Sequence, residues 1–530
     1  MTEEQTNDES LIDLSIQKSS STVLADRGEL INQTGRVNFD NTKIKGSINL
    51  NGAVIDDLTL EEFRETLDPK SDLIEFLNPL GSDNAYYLDT GWVSSDSTIE
   101  LPNSSSIWIA DKNTIGVNEP VKLTWTSDQN ITFEKIITLD ENYLFSVDQR
   151  VINNSGLSFD LYPYGLSKRQ GIPEMQNFFI LHEGPLSITD GVLEEYDYDD
   201  LKDDKKIKHS SVGGWIGMTD KYWQTAIIPN QNEPVQQTYS YSFVDNIDNF
   251  QTDIVGERIA VSNNASISHN FKIFAGPKIV NIIDKYMEEY GFDGFDRSVD
   301  FGWFYFLTKP IFNVLEFIYG YVGNFGWSII LFTVLMRICF FPLAQQSFKS
   351  MAKMKKLAPE MQRLKEQYGD DRAGMQKEMM ALYKREKANP IAGCLPILLQ
   401  IPVFFALYKV LFVTIEMRHA PFIGWVHDLS APDPLGALTL FGFVEWNVPG
   451  ILQILNVGIW PILMGISMYI QFKLNPAPVD KMQAKIFGLL PIVFTFILGG
   501  FAAGLVIYWT TNNVLSMAQQ YIIQRKIMKS

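Results

Sequence analysis

Two different periods of apolar residues divide this chain. Before residue 285 the apolar positions recur two apart, as in Val121, Leu123 and Trp125, then Tyr143, Phe145 and Val147, then Phe271 and Ile273. A period of two is that of strands, whose successive side chains face opposite sides of a sheet. Asn, Asp, Gly and Pro punctuate these runs, as in Asn153-Asn154-Ser155-Gly156. The pattern predicts a large β-sandwich over residues 21–290. Residues 1–20 are polar and are expected to be disordered. The run EEYDYDDLKDDKK (194–206) lacks the central Gly and closing Glu of an EF-hand and is expected to be a solvated surface loop.

Beyond residue 295 the alternation gives way to long apolar stretches. Residues 296–318 are crowded with aromatics; Phe301, Trp303 and Phe304, flanked by Asp300 and Lys309, suit an amphipathic helix anchored in a membrane interface. Further on, 325–343, 391–413 and 451–472 are each nearly free of charge, and 486–523 is one apolar run interrupted by Gly499-Gly500-Phe501-Ala502-Ala503-Gly504. A spanning helix needs about 20 residues, so the last run reads as two short helices, 486–500 and 503–523. The expected fold is multi-domain. A periplasmic β-sandwich is followed, over 319–530, by an α-helical membrane core of five transmembrane helices with a cytoplasmic helical hairpin at 345–388. Gly369-Asp370-Asp371 is the expected break in that hairpin. Its methionines, among them Met351, Met361 and Met380, suit either packing within it or an adaptable surface for partners.

Charge sharpens the division. Residues 1–300 carry 23 Lys+Arg against 50 Asp+Glu, and residues 301–530 carry 21 against 12. The acidic half argues against nucleic-acid binding and for solubility. Within the apolar half, 345–390 carries 11 basic against 6 acidic residues, and 473–485 and the C-terminal tail are also basic, whereas 414–450 is acidic. All three basic segments fall on one side of a five-span arrangement, which is the cytoplasmic side. The β-rich half then faces the periplasm. Residues 1–30 hold no apolar run long enough for a signal peptide or anchor.

The chain has two cysteines, Cys339 and Cys394, both in apolar stretches and expected to be buried, inert thiols. Phosphate-loop, zinc-protease and nucleophile-elbow signatures are absent, and the five histidines show no ligand spacing. No enzyme, metal or cofactor is expected. What stands out is Arg337 inside an apolar span, where a charge costs roughly 2.5–3.5 kcal/mol on insertion scales. Such a residue is expected to face a wet cavity rather than lipid. In the last span Trp509, Asn513, Ser516 and Gln520 share one helical face, and Gln400 and Thr511 add polar groups. A secondary transporter using Arg337 for an anionic solute is the rival reading, though paired repeats and broken helices are missing. A membrane-anchored sugar-binding module is a second rival, by fold analogy alone.

The stretch from Phe301 to Asp433 resembles the core of the YidC insertase family. The resemblance rests on FGWFYFLTKP, VGNFGWSIILFTVLMRICFFPL, MAKMKKLAPEMQRLKEQYGDD, EMMALYKREKANPIAGCLPILLQIPVFFALY and FIGWVHDLSAPDP, and continues through LLPIVFTFI and GLVIYWTTNN. The β-rich half resembles, more loosely, the periplasmic domain of Gram-negative members, and ETLDP with the segments after it points to the alphaproteobacterial branch. The resemblance implies an inner-membrane insertase and chaperone without a cofactor, whose five helices enclose a hydrated groove closed toward the periplasm. It implies Arg337 as the groove arginine. An apolar substrate slide would comprise Ile401, Pro402, Phe404, Phe496, Phe501, Tyr508 and Trp509. Implied partners are nascent inner-membrane proteins, the lipid bilayer, the Sec translocon with its accessory proteins, and the ribosome and signal recognition pathway through the cytoplasmic loops. This sequence departs from the family in three places. The family's N-terminal span has no counterpart, so a truncated start is expected. Residues 435–456 lengthen the periplasmic loop before the third core span. Only seven residues follow Ile523, too few for a long basic ribosome-binding tail.

Overall fold

A computed structural model describes residues 25–175, 181–302, 304–369, 371–386, 395–444, 446–475 and 481–529. The expected disordered terminus 1–20, Trp303 and Cys394 lie outside the described residues. The chain divides into two compact units, residues 1–300 and 301–530.

The first unit is built from two sheets, of eleven and nine strands, that pack on one another. The strand Ile131–Leu139 shows strict alternation, with every second residue buried from Ile131 to Leu139. It pairs antiparallel with Leu144–Asn153, which pairs in turn with Ser266–Pro277. Strands far apart in sequence are therefore neighbours in the nine-stranded sheet. Two-residue turns suit left-handed backbone; the hairpin joining Pro234–Val244 to Ile247–Gly256 turns at Asp245 (φ 52°) and Asn246 (φ 65°), residue types that tolerate that region. Trp215, Tyr143, Tyr239, Phe133, Phe145, Phe250, Phe271 and Phe274 fill the core. The buried Lys135 donates to Asp89 (3.2 Å) and to the Ala53 carbonyl (3.2 Å). Three helices decorate the sheets: α1 (Arg27–Asn32), α2 (Tyr198–Asp204) and α3 (Val280–Tyr290). Helix α2 replaces the surface loop expected at 194–206. The physical reason is a reciprocal N-terminal cap, in which the Asp197 amide donates to the Asp200 carboxylate (3.1 Å).

The second unit is helical: α4 (Tyr305–Val322), α5 (Phe325–Cys339), α6 (Phe341–Tyr368), α7 (Arg372–Arg385), α8 (Leu395–Val413), α9 (Ile459–Leu474), α10 (Lys481–Gly499) and α11 (Ala503–Lys529). Helix α11 packs on α5, α6, α8 and α9, so it is the centre of this unit. Three boundaries depart from the sequence reading. The aromatic segment is not one helix from 296: a 3-10 turn, Phe295–Ser298, is followed by Gly302 at φ 71°, and α4 begins only at Tyr305. The span expected over 325–343 breaks at Phe340, where α5 and α6 bend by 69°. Pro342, at the start of α6, has no N–H to continue the ladder and its ring clashes with the carbonyl four residues back. The span expected over 451–472 begins instead as a 3-10 turn, Gly450–Leu455, and α9 starts only at Ile459. Among the described residues no single helix is long and apolar enough to cross a membrane, but the bent pair α5–α6 passes by length and composition.

The end of the bundle opposite the α6–α7 hairpin is tied by polar contacts. The buried Asp433 accepts from the Trp460 amide (2.8 Å), the Leu435 amide (3.1 Å) and the Trp425 indole (3.0 Å), which caps the first turn of α9. The Ala503 and Gly504 amides donate to the carbonyls of Ala431 and Leu429, anchoring the start of α11 to the same loop.

Candidate functional site: an arginine-lined recess

Helix α5 places Arg337 in its last turn, where the unpaired carbonyls of a helix C-terminus favour a cation. The break at Phe340 lets α6 swing away and opens space beside the guanidinium. The recess is lined by Thr333, Met336, Arg337 and Phe340 of the α5 segment, by Leu343 and Ala344 of α6, by Gln400 and Val403 of α8, and by Tyr508 and Asn512 of α11. The space open to the centres of water molecules within it is about 40 Å³. At about 10–15 Å³ of such space per molecule, that is room for a few waters.

The guanidinium is held by uncharged groups. Nε donates to Asn512 Oδ1 at 2.8 Å, and Nη2 donates to the Asn512 carbonyl at 3.2 Å and to Gln400 Oε1 at 3.5 Å. Gln400 Nε2 reaches the Tyr508 hydroxyl at 3.5 Å. Among the described residues no carboxylate pairs with Arg337. This is a half-buried cation solvated by the groups of Asn512 and Gln400, with one face on the recess.

Not every residue picked from sequence is brought to this recess. Arg337 and Gln400 are. Asn513, Ser516 and Gln520 are buried on a different face of α11: Asn513 donates to Ser467 (3.0 Å) of α9 and Gln520 to Asn475 (3.0 Å) just beyond it. That face is the α9–α11 seam, and its polar groups lock two helices together. Thr511 is half-buried and does not line the recess. The residue that sequence reasoning missed is Asn512. One residue step turns a helix by about 100°, so Asn512 faces away from Asn513 and falls four residues beyond Tyr508, on a shared stripe. That i, i+4 spacing was the available signal.

The residues expected to form an apolar slide also divide. Tyr508 is buried and belongs to the recess. Ile401 on α8 and Phe496 on α10 are exposed, with Leu398, Phe405, Ile492, Val493 and Ile497 making apolar outer faces around them. Phe404 and Trp509 pack edge to face, with ring centroids 4.8 Å apart, and Trp509 touches Phe494. Phe501 packs against Tyr408, and Pro402 is half-buried within α8. Of the expected interfacial aromatics, Phe301 is buried against Tyr305 and Phe312, whereas Phe304 is exposed. In the hairpin Met351 and Met361 are buried and Met380 is exposed. Cys339, expected to be buried, is exposed, beside the outward-facing Leu335 and Ile338 of the same helix.

Comparison with known proteins fits both units. The family described as "YidC periplasmic domain" matches residues 36–314, and the one described as "60Kd inner membrane protein" matches residues 317–530. A membrane protein insertase YidC of Pelagibacter ubique is 47% identical over 515 residues, covering 97% of this chain and 90% of that one. Its counterpart in Methylorubrum extorquens is 45% identical, covering 94% and 82%. A crystal structure of an active YidC insertase covers 90% of each chain at 16% identity and a TM-score of 0.37, too distant an overlay to bear on the recess. With a matching family over each unit and relatives that alike along nearly their whole length, the chain belongs to the YidC family of membrane protein insertases and is an inner-membrane protein with a periplasmic β-rich domain.

Proposed function

We propose that this protein inserts and folds inner-membrane proteins, alone or with the Sec translocon, by sheltering a client's polar flank in the Arg337 recess. The client's apolar segment meanwhile passes to lipid along the outer faces of α8 and α10. The observation that carries this reading is a cation held only by neutral acceptors and facing open space. A guanidinium paired to a carboxylate would offer an acidic flank no net attraction. This one keeps its charge available, and water in the recess lowers the cost of moving polar backbone part-way across. The driving force is burial of the client's own Leu, Ile, Phe and Val, about 0.3–0.6 kcal/mol each. No cofactor enters.

In this reading α5, α8, α9, α10 and α11 are the spans, and the α6–α7 hairpin and the tail are cytoplasmic, following the basic residues. The hairpin is then the surface that a ribosome or the signal recognition pathway meets. Helix α5, with 15 residues, is about 22 Å long, and α9, with 16, about 24 Å. Both fall short of a ~30 Å hydrocarbon core, so the bilayer thins around them and the crossing shortens.

The test is insertion of paired clients, one with an acidic and one with a neutral translocated flank, after depletion and complementation. Depletion leaves both outside the membrane while soluble secretion continues. Arg337→Ala restores the neutral client more fully than the acidic one. Equal defects on both would show that Arg337 acts structurally. Normal insertion with failed solute uptake would revive the transporter reading, which the relatives' names do not favour.

A further inference from the structure

The loop between α8 and α9 carries more exposed apolar surface than a loop in water has reason to. Over residues 435–456 the sequence contains a single charged residue, Glu445. Phe443 is 90% exposed and Ile451 89%, with Leu440, Ile454 and Trp446 also turned outward. At the tip the backbone itself bends sharply. Leu440, Phe441 and Gly442 all stand in the left-handed region (φ 48°, 58° and 88°), where only the glycine is at ease.

The polar groups of this backbone, by contrast, are kept inside. Leu440, Phe441, Gly442, Phe443 and Val444 donate their amides to carbonyls between Gly436 and Leu440. The neck is closed by the Ala437 amide on the Val457 carbonyl (2.9 Å) and by the Leu438 amide on Asn456 Oδ1 (3.0 Å). A tip over 440–444 with its amides satisfied internally and its aliphatic and aromatic side chains outside is what a bilayer tolerates. The surface is also continuous with a membrane-facing one. The turn Gly450–Leu455 packs on α10, so Ile451 and Ile454 extend the exposed stripe of Leu489, Ile492, Val493, Phe496 and Ile497.

We infer that residues 440–444 and 446–455 form an interfacial anchor, set into the headgroup and upper acyl region of the bilayer beside α10. The occupant is lipid. Phe443 and Trp446 sit where amphipathic and aromatic rings settle, at the boundary between water and hydrocarbon. The anchor fixes the depth of the α9 N-terminus and of the α10–α11 turn, because the same loop holds both through Asp433, Leu429 and Ala431. Its assignment to the periplasmic leaflet rests on the topology proposed above. Its depth does not, so the two can fail separately.

The experiment uses the full chain in phosphatidylethanolamine–phosphatidylglycerol vesicles. Cys339→Ser and Cys394→Ser remove the native thiols, and an environment-sensitive fluorophore is placed at Phe443→Cys or Ile451→Cys. Both positions are so exposed that neither change disturbs packing. Leu489→Cys serves as the lipid reference and Asp68→Cys, on an exposed turn, as the aqueous one. Lipid brominated high on the acyl chain should quench 443 and 451 about twofold or more, and aqueous iodide should quench them far less than residue 68. Iodide quenching as strong as at 68, with none from brominated lipid, overturns the anchor. Protection that appears only on adding the Sec translocon also overturns it, since the surface would then be a protein-docking face.

Discussion

At the residue scale the recess turns on a pair that differ by one step of a helix. Tyr508 and Asn512 face Arg337, while Trp509 and Asn513 face α9 and α10. The presence of polar residues on α11 was legible from sequence, and so was the cost of Arg337. Which of two adjacent asparagines reaches the guanidinium was not, because that depends on the rotation of α11 against α5. Substitutions at 512 separate charge from structure. Asn512→Asp places a carboxylate 2.8 Å from the guanidinium and cancels its outward field. Acidic-flank clients should insert several-fold less well, and neutral ones nearly as before. Asn512→Leu leaves a buried donor unmatched, which costs about 1–3 kcal/mol. It should lower the melting temperature in detergent and impair both clients alike. The β-rich unit offers a separate test. Burial pushes Lys168 down to about 8 from its ordinary 10.5. Below pH 8 folded and unfolded chains both carry the proton, so the burial cost is constant. Between pH 8 and 10.5 only the unfolded chain keeps it, and stability rises with pH. Lys168→Met should stabilise this unit by roughly 1–3 kcal/mol at pH 7 and flatten that rise, read from its unfolding transition.

At the element scale the strands were legible because burial follows alternation so closely, as in Ile131–Leu139. The helix boundaries were harder. Hydropathy runs smoothly from Phe325 to Leu343 and from Ile451 to Phe472, yet each run holds a proline that fixes a boundary. Pro342 falls in the first turn of α6 and Pro461 in the first turn of α9, where a missing N–H removes no helical bond, so each proline favours a helix start just before it. Apolarity reports what can enter lipid; backbone hydrogen bonding decides where a helix runs. The start of α9 depends on a residue from outside it. Asp433 caps it from 27 positions away while also holding Leu435 and Trp425. Asp433→Ala should destabilise this end of the bundle by roughly 1–3 kcal/mol. The expected readout is faster protease cleavage within 414–458, with the β-rich unit unaffected. Unchanged cleavage would mean that the amides of Leu435 and Trp460 find other partners.

At the scale of the whole molecule, every residue that the proposed mechanism uses lies in the second unit, so the sandwich should be separable from insertion. The sheet topology decides how it can be removed. In the nine-stranded sheet, Ser266–Pro277 lies between Trp223–Ile228 and Leu144–Asn153, and in the eleven-stranded sheet, Phe159–Gln170 lies between Tyr86–Val93 and Ile247–Gly256. Deleting residues 60–200 removes Leu144–Asn153 from the first group and both Tyr86–Val93 and Phe159–Gln170 from the second. It leaves Ser266–Pro277 and Ile247–Gly256 with unpaired edges and an uncovered apolar face, the arrangement that invites aggregation. Helix α3 belongs with the sandwich as well, since Val280, Ile283 and Tyr286 are buried and the Tyr286 hydroxyl donates to Asp140. Excision should therefore take residues 25–294 as one piece, keeping Phe301 and α4. The expected outcome is a chain that accumulates in the membrane and inserts single-spanning clients at about half the full rate or better, while the 60–200 deletion is degraded. Both are read by membrane immunoblot alongside the insertion assay, with expression matched. If the clean excision accumulates normally yet inserts nothing, the β-rich unit takes part in insertion itself, and a mechanism confined to residues 301–530 is wrong.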